Sequence, residues 1–192
     1  QVSRVESGPV RATLRVDVET APAHTAWVTL TAGVDRVEVG MRVTRNFGGT
    51  VAYAFDLAGD EVHHEEVGAI LEVGRRAQGG DYADELTRTD YLTAGHFVDV
   101  GRGGTGAILS NWDSSFFAVG DSDTDFLDGD SGDVRMVVGM QVDGPDLGIR
   151  NQGGDAEFLN RYALRARGNY DADAAMRFAL EHQNPPVAVR AR

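Results

Sequence analysis

Trp112 and Asp113, with Phe116 and Phe117 just beyond, form the group best suited to hold a sugar. An indole can stack on the apolar face of a pyranose while a carboxylate takes its hydroxyls, and sugar sites need both an apolar wall and placed polar groups. The alternative is that Trp112 closes the end of a sandwich, and buried aromatics are the commoner case. Arg150 and Asn151 are weaker candidates of the same kind. A second chemistry is suggested by Asp121-Ser-Asp-Thr-Asp125 and Asp128-Gly-Asp-Ser-Gly-Asp133. Alternating carboxylates on small spacers can wrap a calcium ion, which takes about six to eight oxygens. The helix-loop-helix calcium pattern nevertheless fails, because Phe126 and Gly132 stand where it needs Gly and Glu. The bland reading is a solvated acidic loop. In His63-His64-Glu65-Glu66, neighbouring strand residues point to opposite faces, so the pair of imidazoles does not converge on one ion. An exposed strand edge is the expectation there. His96 and His182 read as packed or hydrogen-bonded, and His24 as part of an exposed turn.

Other chemistries are absent. Gly101-Arg-Gly-Gly-Thr-Gly106 has glycines at a dinucleotide-like spacing, but no helical pattern follows, so the context fails. No Ser/His/Asp nucleophile elbow or phosphate-cradling loop stands out. The chain has no cysteine, which removes disulfides and thiolate metal ligands. Its 192 residues carry a formal charge of −12, and all 18 basic residues are arginines. The lack of lysine suggests a coding bias or salt adaptation. Nucleic acids and anionic membranes are polyanions and make poor partners for such a surface. No apolar run is long enough for a membrane span, and no signal peptide is visible. Localisation stays open between a bacterial cytoplasm and secretion.

The elements that must position these residues read as mostly β. Ala12, Leu14, Val16 and Val18 alternate with Arg11, Thr13, Arg15 and Asp17, the period-two pattern of a half-buried strand. Further strands are expected at 25–31, 34–44, 50–57, 96–100, 105–110, 115–119, 135–142 and 157–165. One more is expected within 61–76, centred on 67–73. The first three, joined by short links, predict a meander. Gly101–Gly104 reads as a hairpin loop, 77–94 as a long surface loop, and 120–133 and 143–154 as further loops. A helix is expected over 171–182. Asp171 is its N-cap, Ala175, Phe178, Ala179 and His182 share one face, and Pro185-Pro186 end it. Together these predict an all-β, large antiparallel sandwich with one short C-terminal helix, formed by residues 1–192 as a single domain.

Four stretches, in order, resemble the closing β region of the family 38 glycoside hydrolases, the α-mannosidases. They are Glu6-Ser-Gly-Pro-Val-Arg-Ala-Thr-Leu14; Leu30 to Val43; His96-Phe-Val-Asp-Val100 with Gly103-Gly-Thr-Gly-Ala-Ile-Leu109; and Glu157-Phe-Leu-Asn-Arg-Tyr-Ala-Leu164 followed by Ala174-Ala-Met-Arg-Phe-Ala-Leu-Glu-His-Gln-Asn-Pro-Pro186. The chain departs from the family at Ser110-Asn-Trp-Asp-Ser-Ser-Phe116 and at Asp155-Ala-Glu157. The resemblance implies a supersandwich of the galactose-mutarotase type that is a fragment of a larger hydrolase. It implies a non-catalytic role here, supporting the catalytic barrel and contacting carbohydrate. The family's zinc, its Asp nucleophile and its acid/base carboxylate are expected on that barrel, the implied partner. No catalytic residue, metal ligand or cofactor is therefore assigned to this chain, with calcium in the acidic loop the one exception left open. A free-standing carbohydrate-binding module and a calcium-stabilised structural sandwich are the other readings.

Overall fold

The computed structural model describes residues 1–20, 22–85, 87–141 and 157–186. Thirteen strands and one helix follow in order: β1 (Val2–Ser7), β2 (Arg11–Val18), β3 (His24–Thr31), β4 (Val37–Val43), β5 (Gly49–Asp56), β6 (Glu61–Glu66), β7 (Ala69–Glu72), β8 (Leu92–Thr93), β9 (Phe97–Arg102), β10 (Thr105–Asn111), β11 (Phe116–Val119), β12 (Asp133–Gln141), β13 (Phe158–Arg167) and α1 (Ala172–Gln183). They form two antiparallel sheets. The larger has nine strands in the order β1-β2-β3-β4-β13-β10-β9-β6-β7, and the smaller has four, β5-β12-β11-β8. The expected two-sheet sandwich with one short helix is the architecture observed.

The alternation of each strand decides which layer its side chains enter. Val39, Val62, Val98, Val100, Leu109 and Tyr162 of the large sheet meet Phe55, Phe117, Val119, Val134 and Met136 of the small one in the main core. The opposite face of the large sheet presents Phe97, Ile108 and Ala163 to the helix residues Ala175, Phe178 and Ala179. Helix α1 follows its sequence closely. The Asp171 side chain accepts from the Ala174 N–H, and the buried face is Ala175, Phe178, Ala179 and His182. The Arg165 guanidinium lies over the Phe178 ring at 4.3 Å.

On the helix-side face of the large sheet sits a buried ion pair. Asp99 on β9 is fully buried, and Arg167 at the end of β13 reaches it with Nε (2.7 Å to Oδ2) and a second guanidinium nitrogen. The arginine crosses Gly101 and Gly106, and a Cβ at either position would strike its guanidinium. Two glycines of the dinucleotide-like run thus make a slot for Arg167. The other two, Gly103 and Gly104, have φ of 57° and 85° and form the β9–β10 hairpin turn, where glycine is least strained.

Several sequence expectations need correction. β1 went unread because a register shift between Arg4 and Glu6 breaks the alternation of its valines. The single strand expected within 61–76 is a hairpin, β6–β7, whose turn at Val67-Gly68 falls at the start of the expected centre, most of the rest of which is β7. Val67 there has φ of 50° and is 93% exposed. The segment 77–94 is not a surface loop: Thr89, Leu92 and Ala94 are buried, and Tyr82 packs against the main core. Nor do His63 to Glu66 form an exposed edge. β6 lies between β7 and β9, and His64 and Glu65 are buried. His24 opens β3, with a hydrogen bond between its Nδ1 and the Pro22 carbonyl (2.9 Å). The expected loop 143–154, with Arg150 and Asn151, lies outside the described residues.

Breaking one side of a buried ion pair strands the other charge and costs about 3–5 kcal/mol. Asp99→Asn is therefore expected to lower the unfolding free energy by about 3 kcal/mol in urea titration, whereas loss of the exposed Arg11–Glu6 pair through Glu6→Gln should cost less than about 1 kcal/mol. Equal costs for the two variants would show that burial of the Asp99 pair has no special weight.

Candidate functional site: a two-tryptophan cavity

At the end of β10 the chain crosses from the large sheet to the small one through residues 112–115. Asn111 fixes the crossing. Its Nδ2 donates to the carbonyls of Ala94 and Ser114, and its Oδ1 accepts from the Ser114 N–H (3.0 Å). The Trp112 N–H donates to the Arg161 carbonyl at 3.1 Å. This anchoring sets Trp112 and Asp113 beside β13, next to the C-terminal end of α1. Phe117 instead turns into the main core, and Phe116 is an exposed residue paired with Thr93 on the small sheet, so neither flanks Trp112.

Asp113 has one evident partner. Its Oδ2 accepts from the Arg161 backbone N–H (2.8 Å) and Nε (2.9 Å), and its Oδ1 accepts from a terminal guanidinium nitrogen (2.7 Å). The guanidinium so held lies over the Trp112 ring, 3.9 Å from its centroid. Cation and ring attract through the quadrupole of the indole. Asp113 therefore acts first as the clamp on Arg161.

Trp112 lines a cavity of about 280 Å³ shared with Trp27, Thr29, Arg36, Glu38, Arg161 and His182. Both tryptophans of the chain are in this lining. Trp27 was not singled out in the sequence, where it reads simply as a strand residue. It stands on β3 in register with Gly40 of β4, whose missing side chain leaves the floor open. Arg36 donates to Glu38 Oε1 through Nε (2.9 Å) and a terminal nitrogen (2.7 Å), which places a paired charge at the rim.

His182 closes the cavity from the helix. It is buried, hydrogen-bonded between Nδ1 and Ser110 Oγ at 2.9 Å, and perpendicular to the Trp112 ring at 5.4 Å. Burial, reinforced by the nearby Arg36 charge, pushes its pKa down to about 4. At neutral pH the ring is uncharged and can donate or accept one hydrogen bond per nitrogen. Aromatic walls, a paired arginine and carboxylate, and a neutral imidazole suit the binding of a neutral polyhydroxyl ring. The carboxylates here, Glu38 and Asp113, are each tied to an arginine.

The histidine run forms a separate cluster. The Thr93 carbonyl can only accept, so His64 Nδ1–H donates to it (2.6 Å) while Nε2 accepts from the Tyr82 hydroxyl (2.8 Å). Burial lowers the pKa of His64, in keeping with that neutral tautomer. Glu65 is turned the other way. Its Oε2 meets His96 Nδ1 at 2.6 Å, and its Oε1 accepts from the Gly68 N–H at 2.5 Å, which fixes the β6–β7 turn. In the acidic loop, Asp123 Oδ1 accepts from the N–H groups of Asp125 and Phe126, and Asp128 Oδ2 from that of Asp121. Among the described residues, no three His, Asp or Glu side chains converge as a metal site.

Comparison with solved structures gives the fold a precedent. A glycosyl hydrolase family 38 protein from Enterococcus faecalis superposes on 96% of this chain with a TM-score of 0.68 and 13% identity. An α-mannosidase from Enterococcus faecalis V583 matches with the same TM-score and coverage at 12% identity. The fold is that of a region of family 38 hydrolases. At these identities the likeness is one of fold, and the chain spans about a quarter of each protein's length, 25% and 24%. A putative aldose 1-epimerase from Escherichia coli also matches, over 88% of the chain at 14% identity, but its TM-score of 0.38 is too low to carry an argument. No protein-family model and no curated protein matches the sequence.

The folded pKa of His182 lies below the unfolded imidazole value of about 6.5. As pH falls, the unfolded chain takes up this proton first. The contribution of neutral His182 is therefore complete above about pH 6.5 and is lost progressively toward pH 4, at up to about 1.4 kcal/mol per pH unit. His64 adds a loss of the same sign. Urea unfolding between pH 7 and 4 should show a shallower slope for His182→Gln than for the wild type. Identical slopes would mean that the fold leaves the His182 pKa at its unfolded value.

Proposed function

We propose that this chain is the non-catalytic, C-terminal β-sandwich region of an α-mannosidase-like glycoside hydrolase. In this reading it supports a catalytic domain belonging to the same polypeptide and contributes a carbohydrate contact. The observation that carries the reading is the match of 96% of the chain, at TM-score 0.68, to a quarter of an α-mannosidase. The order of the four family-like stretches supports it independently. Retaining hydrolysis needs two free carboxyl groups about 5 Å apart across the scissile bond. The carboxylates at the two-tryptophan cavity are engaged by Arg36 and Arg161 instead. Zinc and the nucleophile belong, in this proposal, to the catalytic domain. The chain alone, supplied with zinc and a chromogenic α-mannoside, is expected to release product at the background rate. Sustained turnover would refute the non-catalytic role.

The cavity between Trp27 and Trp112 is the proposed carbohydrate contact. Its 280 Å³ sits at the small end of ligand sites, which run from about 300 Å³ upward, and suits a single sugar ring. A free-standing carbohydrate-binding module is the second reading, favoured by the same pair of rings. Titration with mannose should change the indole emission. Each single variant, Trp27→Ala or Trp112→Ala, leaves one reporting ring and should weaken binding by about tenfold or more, or about 1.4 kcal/mol. An emission spectrum indifferent to sugar, or variants that bind like the wild type, would remove the cavity from both readings.

A further inference from the structure

The two sheets do not match in width. Four strands face nine, and the small sheet ends at β5, which packs beside β4 through Val51, Tyr53, Met41 and Val43. Strands β1, β2 and β3 continue past it. Their inward row, the continuation of the core face, is Val2 and, toward the bulge, Arg4 on β1, Leu14 and Val16 on β2, and Val28 and Leu30 on β3, apolar but for Arg4 at the outer edge. Among the described residues no second layer covers this row, and Val2, Leu14 and Leu30 are 66%, 47% and 55% exposed. An apolar sheet face left this open normally marks an interface.

The sheet edges point the same way. An unpaired edge is a template for another strand, and natural proteins blunt it with charge, bulges or brevity. Three of the four edges here are blunted. β1 carries Arg4 and Glu6 and a bulge, β7 is four residues long and β8 is two. The fourth, β5, is eight residues long and has no charged residue or proline from Gly49 to Phe55. Among the described residues no strand pairs with this edge, and it borders the uncovered face.

We infer that the free edge of β5 receives one or more extended strands from the remainder of a longer polypeptide containing this chain, and that these strands cover the inner face of β1–β3. The inference rests on the proposed place of the chain within a larger hydrolase. The occupant is argued from length: the matched proteins are about four times as long as the segment that this chain matches. Backbone hydrogen bonds to β5 would set its register, and alternate apolar side chains would fall on Leu14, Val16, Val28 and Leu30. The small sheet would then widen until it spans the large one.

This chain contains no cysteine, so within its residues peptide mapping reads each introduced thiol alone. The polypeptide encoded by the complete reading frame would carry Leu14→Cys, Leu30→Cys or, in the exposed β6–β7 turn, Val67→Cys. Each would be reacted with N-ethylmaleimide and read by peptide mapping. The thiols at 14 and 30 are expected to react at least tenfold more slowly than the one at 67. Hydrogen exchange on the unsubstituted polypeptide serves as a second measurement, with slow exchange expected along Gly49–Phe55. Fast labelling at 14 and 30, or rapid exchange along β5, in a longer polypeptide would overturn this inference alone. Protection that vanishes on dilution to the monomer would assign the face to a second copy and overturn it as well. A reading frame that encodes no more than this chain would defeat the larger-hydrolase reading, and this inference with it.

Discussion

Strand β9 has no solvent side, and the rest of the molecule is arranged around that constraint. Val98 and Val100 enter the core between the sheets, while Phe97 and Asp99 enter the layer under the helix, and all four are buried. A helix is needed on the outer face because Phe97, Ile108 and Ala163 would otherwise lie open to water. A cation is needed at Asp99 because an isolated buried carboxylate is too costly to keep charged. Arg167 satisfies it from β13, two strands away, across β10.

Much of this was legible in the sequence. The helix was readable to within a residue at each end, because Asp171, the apolar spacing of Ala175, Phe178, Ala179 and His182, and the two prolines are all local signals. The meander β2–β3–β4 and the β9–β10 hairpin were likewise local. What escaped depends on partners far along the chain. β1 is held by its pairing with β2 despite a bulge, and the two-residue β8 is fixed by Phe116 and Phe117. Val67 looks like the middle of a strand, yet its neighbours fold it into a turn, where the Glu65 carboxylate accepts from Gly68. The His63–Glu66 run was misjudged because period two says which residues share a face, not how many strands flank it.

The candidate site divides in the same way. Trp112 and Asp113 were visible as neighbours, and the family-like tail brought His182 into view as part of the helix face. Trp27 could not be joined to them, because 85 residues separate it from Trp112 and only the strand order β3-β4-β13-β10 carries one to the other. Asp113 shows the limit of reading residue types. A carboxylate beside an aromatic suggests a ligand for hydroxyls, but Arg161, next to the core residue Tyr162 on β13, reaches it first and then lies on the ring. The acidic loop is similar, with Asp123 and Asp128 turned to backbone amides of their own segment.

The slot that carries Arg167 has an evolutionary corollary. A side chain at Gly101 would meet the guanidinium, one at Gly106 would meet both the guanidinium and the Val100 carbonyl, and the Asp99 carboxylate holds the guanidinium in place. None of the four can drift alone without a clash or an orphaned charge. Descendants of this sequence should keep Asp99, Arg167 and Gly101 or exchange them together for an uncharged filling, so these three should covary across β9 and β13, while Gly106 on β10 stays glycine beside the Val100 carbonyl.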